Sequence, residues 1–343
     1  MVNQDNLDLI RVGVGAWNQW RQENIGLRPD LRGANLSGQN LSGADLRGAN
    51  LRGANLKWSD LRGANLRGAN LSYANLSWST LSRTDFSCAN LMSADFTGAN
   101  LSGANLSGTD LRAAILKEAN LWCAQMSSSN LENANLSGCL IYGISAWNLK
   151  LEGAIQSNLI ITPANEMTIT VDNLEVAQFL GLFLQSQTIH HVVYPISSQI
   201  VLILGDFQSS ERAYILDAIK TSLRRHNYIP VVFDFQKQGG REITHKILRV
   251  AQIAKFIIAD FTTPKTIPQE LQKIVPQLPA VPVQPIVDSA AQLGYNWCQP
   301  LQEFSSVLNT YYYDSAKQAI AAIAENIIVH VAARAKEVMV NAH

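Results

Sequence analysis

From Leu31 to Ile141 every fifth residue is Leu, Phe, Met or Ile, which makes twenty-three consecutive apolar centres without a slip in register. Two positions before each centre the chain usually carries Ala (Ala34, Ala44, Ala49, Ala54) and otherwise mostly Ser, Thr or Cys; the residue directly before the centre is mostly Asn or Asp. A step of five turns an α-helix through roughly 500°, so the centres would scatter around its circumference, and a strand would need a period of two. A chain that turns a corner every five residues fits. Four sides make one coil, the large and small apolar residues point inward, and each coil bonds to the next at about 4.8 Å. Asn and Asp suit the corners because their short side chains bond nearby backbone.

The flanks of this stretch predict caps, which a stack of coils needs to cover its open core and unpaired backbone. Leu7, Ile10, Val14 and Trp17 recur at helical spacing, so residues 5–22 are expected to form a helix that places Trp17 and Trp20 over the first coil. At the far end the register breaks at Ala146, and Trp147 is expected to act as a lid. Four segments follow: a capping helix over 1–29, coils over 30–144, a connector with a helix near 171–185 over 145–197, and a different architecture over 198–343.

In that last segment the periodicity alternates. Ile200–Gly205, Tyr228–Phe235 and Lys255–Asp260 are short apolar runs of the kind that form buried parallel strands; helical patterns over 209–225 and 242–253 separate them. A short helix near 268–275, strands near 281–287 and 307–313 and a helix from about 315 to 337 complete the pattern. This predicts an open, doubly wound parallel sheet, whose ligands bind beyond the carboxyl ends of the strands. Those ends carry Gly205-Asp206-Phe207, Asp234 and Asp260-Phe261-Thr262, a concentration of acids that points to a ligand pocket.

Composition narrows the reading. Lys+Arg and Asp+Glu both number 27, charged residues are 16% and apolar residues 47%, so the chain is foldable and has no overall pull toward nucleic acid or an anionic membrane. The four cysteines (Cys88, Cys123, Cys139, Cys298) form no C-x-x-C pair, which predicts neither a disulfide framework nor a metal site. An acidic N-terminus and the absence of a long apolar run predict a cytoplasmic protein without a membrane span.

The A-(N/D)-L-x-G pattern over residues 30–141 resembles the pentapeptide-repeat family, which implies a right-handed quadrilateral β-helix. Some members imitate DNA with a strongly acidic exterior; residues 28–141 hold ten bases and eight acids, so such mimicry is not expected here. Residues 198–335 resemble the Toll/interleukin-receptor (TIR) domain and the nucleoside deoxyribosyltransferase-like proteins, on the strand order together with Phe256-Ile-Ile-Ala-Asp260 and Pro268-Gln-Glu-Leu271. The resemblance implies that Glu270 is the carboxylate that stabilises or attacks a ribose anomeric carbon, and that Gln236 to Arg241 is a loop adjusting to ligand or partner. It further implies NAD or a related nucleotide as substrate, with no prosthetic group, and Gly205, Asp206, Phe207, Asp234, Asp260 and Thr262 around it. Asp206, Asp234 or Thr262 would hold ribose hydroxyls and Phe207 would stack on the base. The function implied is an NAD glycohydrolase effector in bacterial signalling or antiphage defence, with self-association or protein partners through the TIR-like domain. The alternative is a non-catalytic interaction scaffold.

Overall fold

The computed structural model describes residues 3–163, 166–185, 199–207, 209–235, 241–262, 266–290, 300–322 and 327–341. The chain divides into two compact units, Met1–Ile161 with Asn173–Gly181, and Thr162–Asp172 with Leu182–His343.

The first unit is built on the five-residue step. Parallel bridges join each corner residue to the one a full coil later, from Asp30↔Asn50 through Asn90↔Asp110 to Leu140↔Ile160. Every centre from Leu31 to Ile141 is buried, with none more than 2% exposed. Burying each leucine contributes roughly 1.5–3 kcal/mol before chain entropy is set against it. Polar residues in the small-residue column stay satisfied by bonding back to the main chain: Ser59 Oγ donates to the Leu56 carbonyl (2.6 Å), Thr84 Oγ1 to that of Leu61 (2.7 Å) and Ser129 Oγ to that of Leu106 (2.6 Å). Ser and Thr therefore replace Ala there without leaving an orphaned hydroxyl. Gln39 is too long for the column and is exposed.

The corners work as their chemistry predicts. Asp30 Oδ1 accepts from the Arg32 amide at 3.2 Å and Asn75 Oδ1 from the Ser77 amide at 2.9 Å. Where Asp is followed two residues on by Arg the side chains also pair, at 2.6 Å for Arg32–Asp30 and Arg62–Asp60 and 2.7 Å for Arg47–Asp45. The guanidinium hydrogen bond holds each of these carboxyls below the usual carboxylate range. Being solvated, such pairs add little stability.

Both ends are closed by helices, though not as the hydrophobic pattern suggests. The N-terminal cap is two helices, α1 (Gln4–Val12) and α2 (Val14–Glu23), because Gly13 adopts φ 141° between them. Trp17 is fully buried and donates its Nε1 hydrogen to the Asp45 carbonyl (2.8 Å), with the Trp20 ring centroid 5.4 Å away. The buried Arg21 donates to the carbonyls of Leu27 (2.7 Å) and Arg47 (2.8 Å), and so satisfies acceptors that the open edge would leave bare. At the other end the ladder runs on past Ala146, which still points inward at 9% exposure, to Ile160. Trp147, expected as a lid, is instead 60% exposed. The last coils bond instead to α3 (Leu174–Gln185): Gln178 Oε1 accepts from the Ala146 amide at 2.9 Å and Gln156 Oε1 from the Leu174 amide at 2.7 Å. Leu174, Val176, Ala177 and Leu180 of this helix are buried.

The cysteines give a check on this packing. Cys139 is buried, its thiol bonds to the Leu116 carbonyl (3.0 Å), and burial pushes its pKa up to about 12. Cys88 and Cys123 are exposed, and Cys298 lies outside the described residues. A maleimide at neutral pH should label Cys88 and Cys123 of the native protein within minutes and spare Cys139 until denaturant is added, as read by peptide mass spectrometry. Labelling of native Cys139 at a comparable rate would show that the coil stack is not closed there.

The second unit is an open α/β sheet. Its elements are β1 (Thr168–Val171), β2 (Ile200–Gly205), α4 (Ser210–Arg225), β3 (Ile229–Asp234), α5 (Arg241–Ile253), β4 (Phe256–Asp260), α6 (Thr266–Ile274), β5 (Val283–Asp288), β6 (Tyr311–Tyr313), α7 (Ala316–Ala322) and α8 (Ile328–Asn341). Within the unit the order is β1-β3-β2-β4-β5-β6, with β1 antiparallel to β3 and the other neighbours parallel. Strand β1, short and alternating, was not anticipated from the connector sequence. Strands β2 and β4 are buried along their whole length, which is why they read as unbroken apolar runs. A buried ion pair between Lys220 and Asp172 (3.2 Å) ties α4 to the residue that follows β1. The terminal helical pattern divides into α7 and α8, and residues 323–326 lie outside the described residues.

Candidate functional site

The five parallel strands follow one another across the sheet in the order second, first, third, fourth, fifth. The direction of winding therefore reverses between β2 and β4, and the crevice beyond their carboxyl ends is where sheets of this topology hold ligands. Gly205 and Asp206 end β2, and Asp260, Phe261 and Thr262 end β4, so four of the residues anticipated for binding flank this crevice.

Asp260 is the most constrained of them. It is 3% exposed, and its Oδ1 accepts from the Thr262 amide at 2.9 Å. Burial raises its pKa above the ordinary carboxylate range; the hydrogen bonds from Thr262 and the charge of Arg212 oppose that, and Asp288 adds to it. Thr262 is buried as well, and its hydroxyl accepts from the Asp288 amide (3.0 Å) and shares a hydrogen bond with Tyr313 Oη (3.2 Å). Burial, followed by the nearby Asp260 charge, pushes the Tyr313 phenol up to about 12, so it stays protonated. Arg212, on the first turns of α4, donates to the Asp206 carbonyl at 3.3 Å. Its helix is started by Ser209, whose hydroxyl accepts from the Arg212 amide (3.2 Å). The carboxyl ends of β4, β5 and β6 thus share one buried polar network with a guanidinium beside it.

The remaining anticipated residues are placed differently. Gly205 pairs with Asp234 across the β2–β3 ladder, and Asp234 is half-buried at the end of β3 opposite Thr168. Phe207, expected to stack on a base, is 7% exposed and lies in the apolar core with Ile203, Ile215 and Val232. Its ring folds back over Gly205, where a Cβ would come within 2.0 Å of Phe207 Cζ, so the glycine serves packing. Glu270 lies on α6, and its carboxylate accepts from the Thr244 hydroxyl on α5 and from Lys273 Nζ at 2.7 Å. Its hydrogen bonds run to the α5–α6 helix pair, not to Asp260 or Thr262. Of the loop Gln236 to Arg241, residues 236–240 lie outside the described residues. Among the described residues no group of three His, Cys, Asp or Glu could hold a metal ion, and no helix is long and apolar enough to cross a membrane.

Arg212, Asp288 and Tyr313 were not anticipated. Asp288 had a readable signal, since it ends a strand as Asp234 and Asp260 do. Tyr313 and Arg212 had none, because only the strand order brings them to Asp260.

The exterior of the first unit is a second candidate surface. Trp58, Tyr73 and Trp78 are 64%, 53% and 53% exposed and sit at positive φ (57°, 61°, 59°), at the turn position that many other repeats fill with glycine. Lys57 Nζ lies 4.2 Å from the Trp58 ring centroid and Arg52 Cζ 5.2 Å from that of Tyr73. Trp58 and Trp78, one coil apart, make no ring contact; the Trp78 ring lies against Gly98 one coil on.

The family model described as "Pentapeptide repeats" matches in eight copies, through overlapping segments that run from residue 30 to residue 141. Residues 30–141 are pentapeptide repeats. The match stops short of the α/β unit. No curated protein matches the chain. Among solved structures, a pentapeptide repeat protein from the Arabidopsis thaliana thylakoid lumen is 32% identical over 34% of this chain and 66% of its own, with a TM-score of 0.25. HetL, a pentapeptide repeat protein of the cyanobacterium Nostoc involved in heterocyst differentiation regulation, is 27% identical over 37% of this chain and 76% of its own, with a TM-score of 0.25. Rfr23 from the cyanobacterium Cyanothece is 37% identical over 26% and 58%, with a TM-score of 0.15.

Proposed function

We propose that this protein is a pentapeptide-repeat scaffold whose α/β unit recognises NAD or a related nucleotide at the β2–β4 crevice and cleaves its nicotinamide–ribose bond. The supporting observation is the buried carboxylate of Asp260, held by Thr262 at a topological switch point with Arg212 beside it. Asp206 and Asp234 supply acceptors for ribose hydroxyls, and Arg212 a cation for phosphate. In the reaction the bond between nicotinamide nitrogen and ribose C1′ breaks with its electron pair leaving on nicotinamide. Water then adds to C1′ and a proton is released. Glu270 stabilises the cationic ribose carbon, which requires its carboxylate to leave Thr244 and Lys273 for the ligand.

The test is incubation of the full chain with NAD and detection of nicotinamide. Release is expected, and Glu270→Gln, which keeps shape and loses charge, should lower turnover by at least about a hundredfold with binding and melting temperature little changed. If the wild type neither binds nor cleaves NAD, the reading fails. A non-catalytic interaction scaffold then stands in its place, favoured by Trp58, Tyr73 and Trp78, which hold exposed rings at strained positions where glycine would cost less.

A further inference from the structure

The coil stack has four outward faces, and one of them is complementary to itself. Its columns are set by the bridges Asp30↔Asn50, Asn50↔Asn70, Asn70↔Asn90, Asn90↔Asp110, Asp110↔Asn130 and Asn130↔Lys150, which define seven successive levels. Two residues beyond each of these corners the outward column reads Arg32, Arg52, Ser72, Met92, Arg112, Glu132, Glu152. The first two members of the column are basic and the last two acidic; between them the one charge is Arg112, which is paired with Asp110.

We propose that this face joins two copies of the chain side by side and antiparallel. The two-fold axis runs across the face at the level of Met92, lying in the plane between the copies. Such an axis keeps each column opposite itself and reverses its direction, so level one meets level seven, two meets six, three meets five, and four meets itself. Arg52 then lies opposite Glu132, Arg32 opposite Glu152, and Asp30 opposite Lys150. No level sets like charges against each other. Shape follows the same symmetry: Tyr73, half-exposed at its corner, falls opposite Ala113, the small residue at the same corner on level five, and Met92 meets its own copy.

The charges of the second and sixth levels are available for the purpose, whereas Arg32 and Asp30 of the first level already pair with each other. Arg52 follows Asn50 at its corner, so it lacks the carboxylate that Arg32, Arg47, Arg62 and Arg112 find two residues back, and it packs over the Tyr73 ring instead. Glu132 accepts a 3.3 Å hydrogen bond from Asn130, and Glu152 is exposed. The other three faces fail in the same full-overlap register. The face with Lys57 and Trp58 sets Asp95 against itself, and the faces with Arg62 and with Arg47 and Arg67 meet no acid. The inference rests on the coil stack alone and does not depend on what the α/β unit binds.

Charge reversal tests it on the full chain, by sedimentation or light scattering over a concentration series at about 0.1 M salt. The wild type is expected to dimerise, and more weakly at 1 M salt, where the Debye length falls from about 10 Å to about 3 Å. Arg52→Glu and Glu132→Arg each place like charges at two symmetric contacts and should weaken the dimer roughly tenfold or more. Both sites are solvent-facing, so unchanged melting curves should accompany that loss. Mixing the two variants should restore a heterodimer. The carboxylate introduced at position 52 of one copy then meets the guanidinium introduced at position 132 of the other, while the symmetric contact keeps its native Glu132 and Arg52. Only an antiparallel pairing of these columns gives that rescue. A wild type that stays monomeric across the series, a dimer indifferent to Arg52→Glu, or two variants that weaken alone and fail to recover on mixing would each overturn the proposal.

Discussion

Leu66→Lys is expected to unfold the coil stack. Leu66 is fully buried at an interior centre of the ladder, with the Asn65↔Asp85 and Asp45↔Asn65 bridges at its corner. A lysine there exchanges a packed side chain for an ammonium with no acceptor inside the stack. Losing the leucine alone costs about 2–5 kcal/mol, and desolvating an unpaired charge adds to that, so the total should exceed about 4–5 kcal/mol, a large share of a typical domain's stability. Coils contact their neighbours only, so damage at an interior coil separates the coils on either side of it, whereas the same change in the terminal coil would fray one end. Circular dichroism melting should show the main transition lowered by well over ten degrees, or absent. Leu66→Met, close in volume, should shift it by only a few degrees. A lysine variant that melts with the wild type would mean that this centre does not face the core.

The coil stack was legible because one structural rule repeats: each five-residue side asks for the same large centre, small partner and corner residue, so a single misfit stands out against many agreements. Gln39 is such a misfit, and it turns outward. The ends were less legible. Ala146 reads as a break because the pattern asks for a large residue there, yet the bridge ladder depends on backbone geometry, which alanine supports equally well. Trp147 looks like a lid only if the stack ends at that point. In the α/β unit the parallel strands and the acids at their ends could be read from apolar runs and turn residues. The network around Asp260 could not, since Tyr313 lies 51 residues beyond Thr262 and reaches it only because β6 follows β5 in the sheet. Glu270 shows the opposite difficulty. Its place on a helix after β4 was readable, but its engagement with Thr244 depends on how α5 and α6 pack, which neither helix encodes alone.

Gly205→Ala is expected to destabilise the α/β unit through Phe207. An added Cβ would lie 2.0 Å from Phe207 Cζ and 2.6 Å from both Cε atoms, far inside any tolerable contact, and β2 is held by pairing on both sides, with β3 and β4. The backbone therefore cannot yield cheaply, and the ring must leave its place among Ile203, Ile215 and Val232. Displacing a buried phenyl group costs about 3–5 kcal/mol when it is simply deleted, so Gly205→Ala should cost roughly 2–4 kcal/mol, depending on how much of the ring finds new cover. Phe207→Ala should itself be destabilising by about 3 kcal/mol or more. The informative variant is the pair. With the ring gone the alanine methyl meets open space, so Gly205→Ala should be nearly neutral, or fill part of the cavity, in a Phe207→Ala background, giving a coupling energy of roughly 2–3 kcal/mol in a double-mutant cycle by urea denaturation. Additive costs would show that Gly205 is needed for something other than Phe207. In that case the glycine would return to the role first suggested by its place at the end of β2, the close approach of a ligand to the backbone.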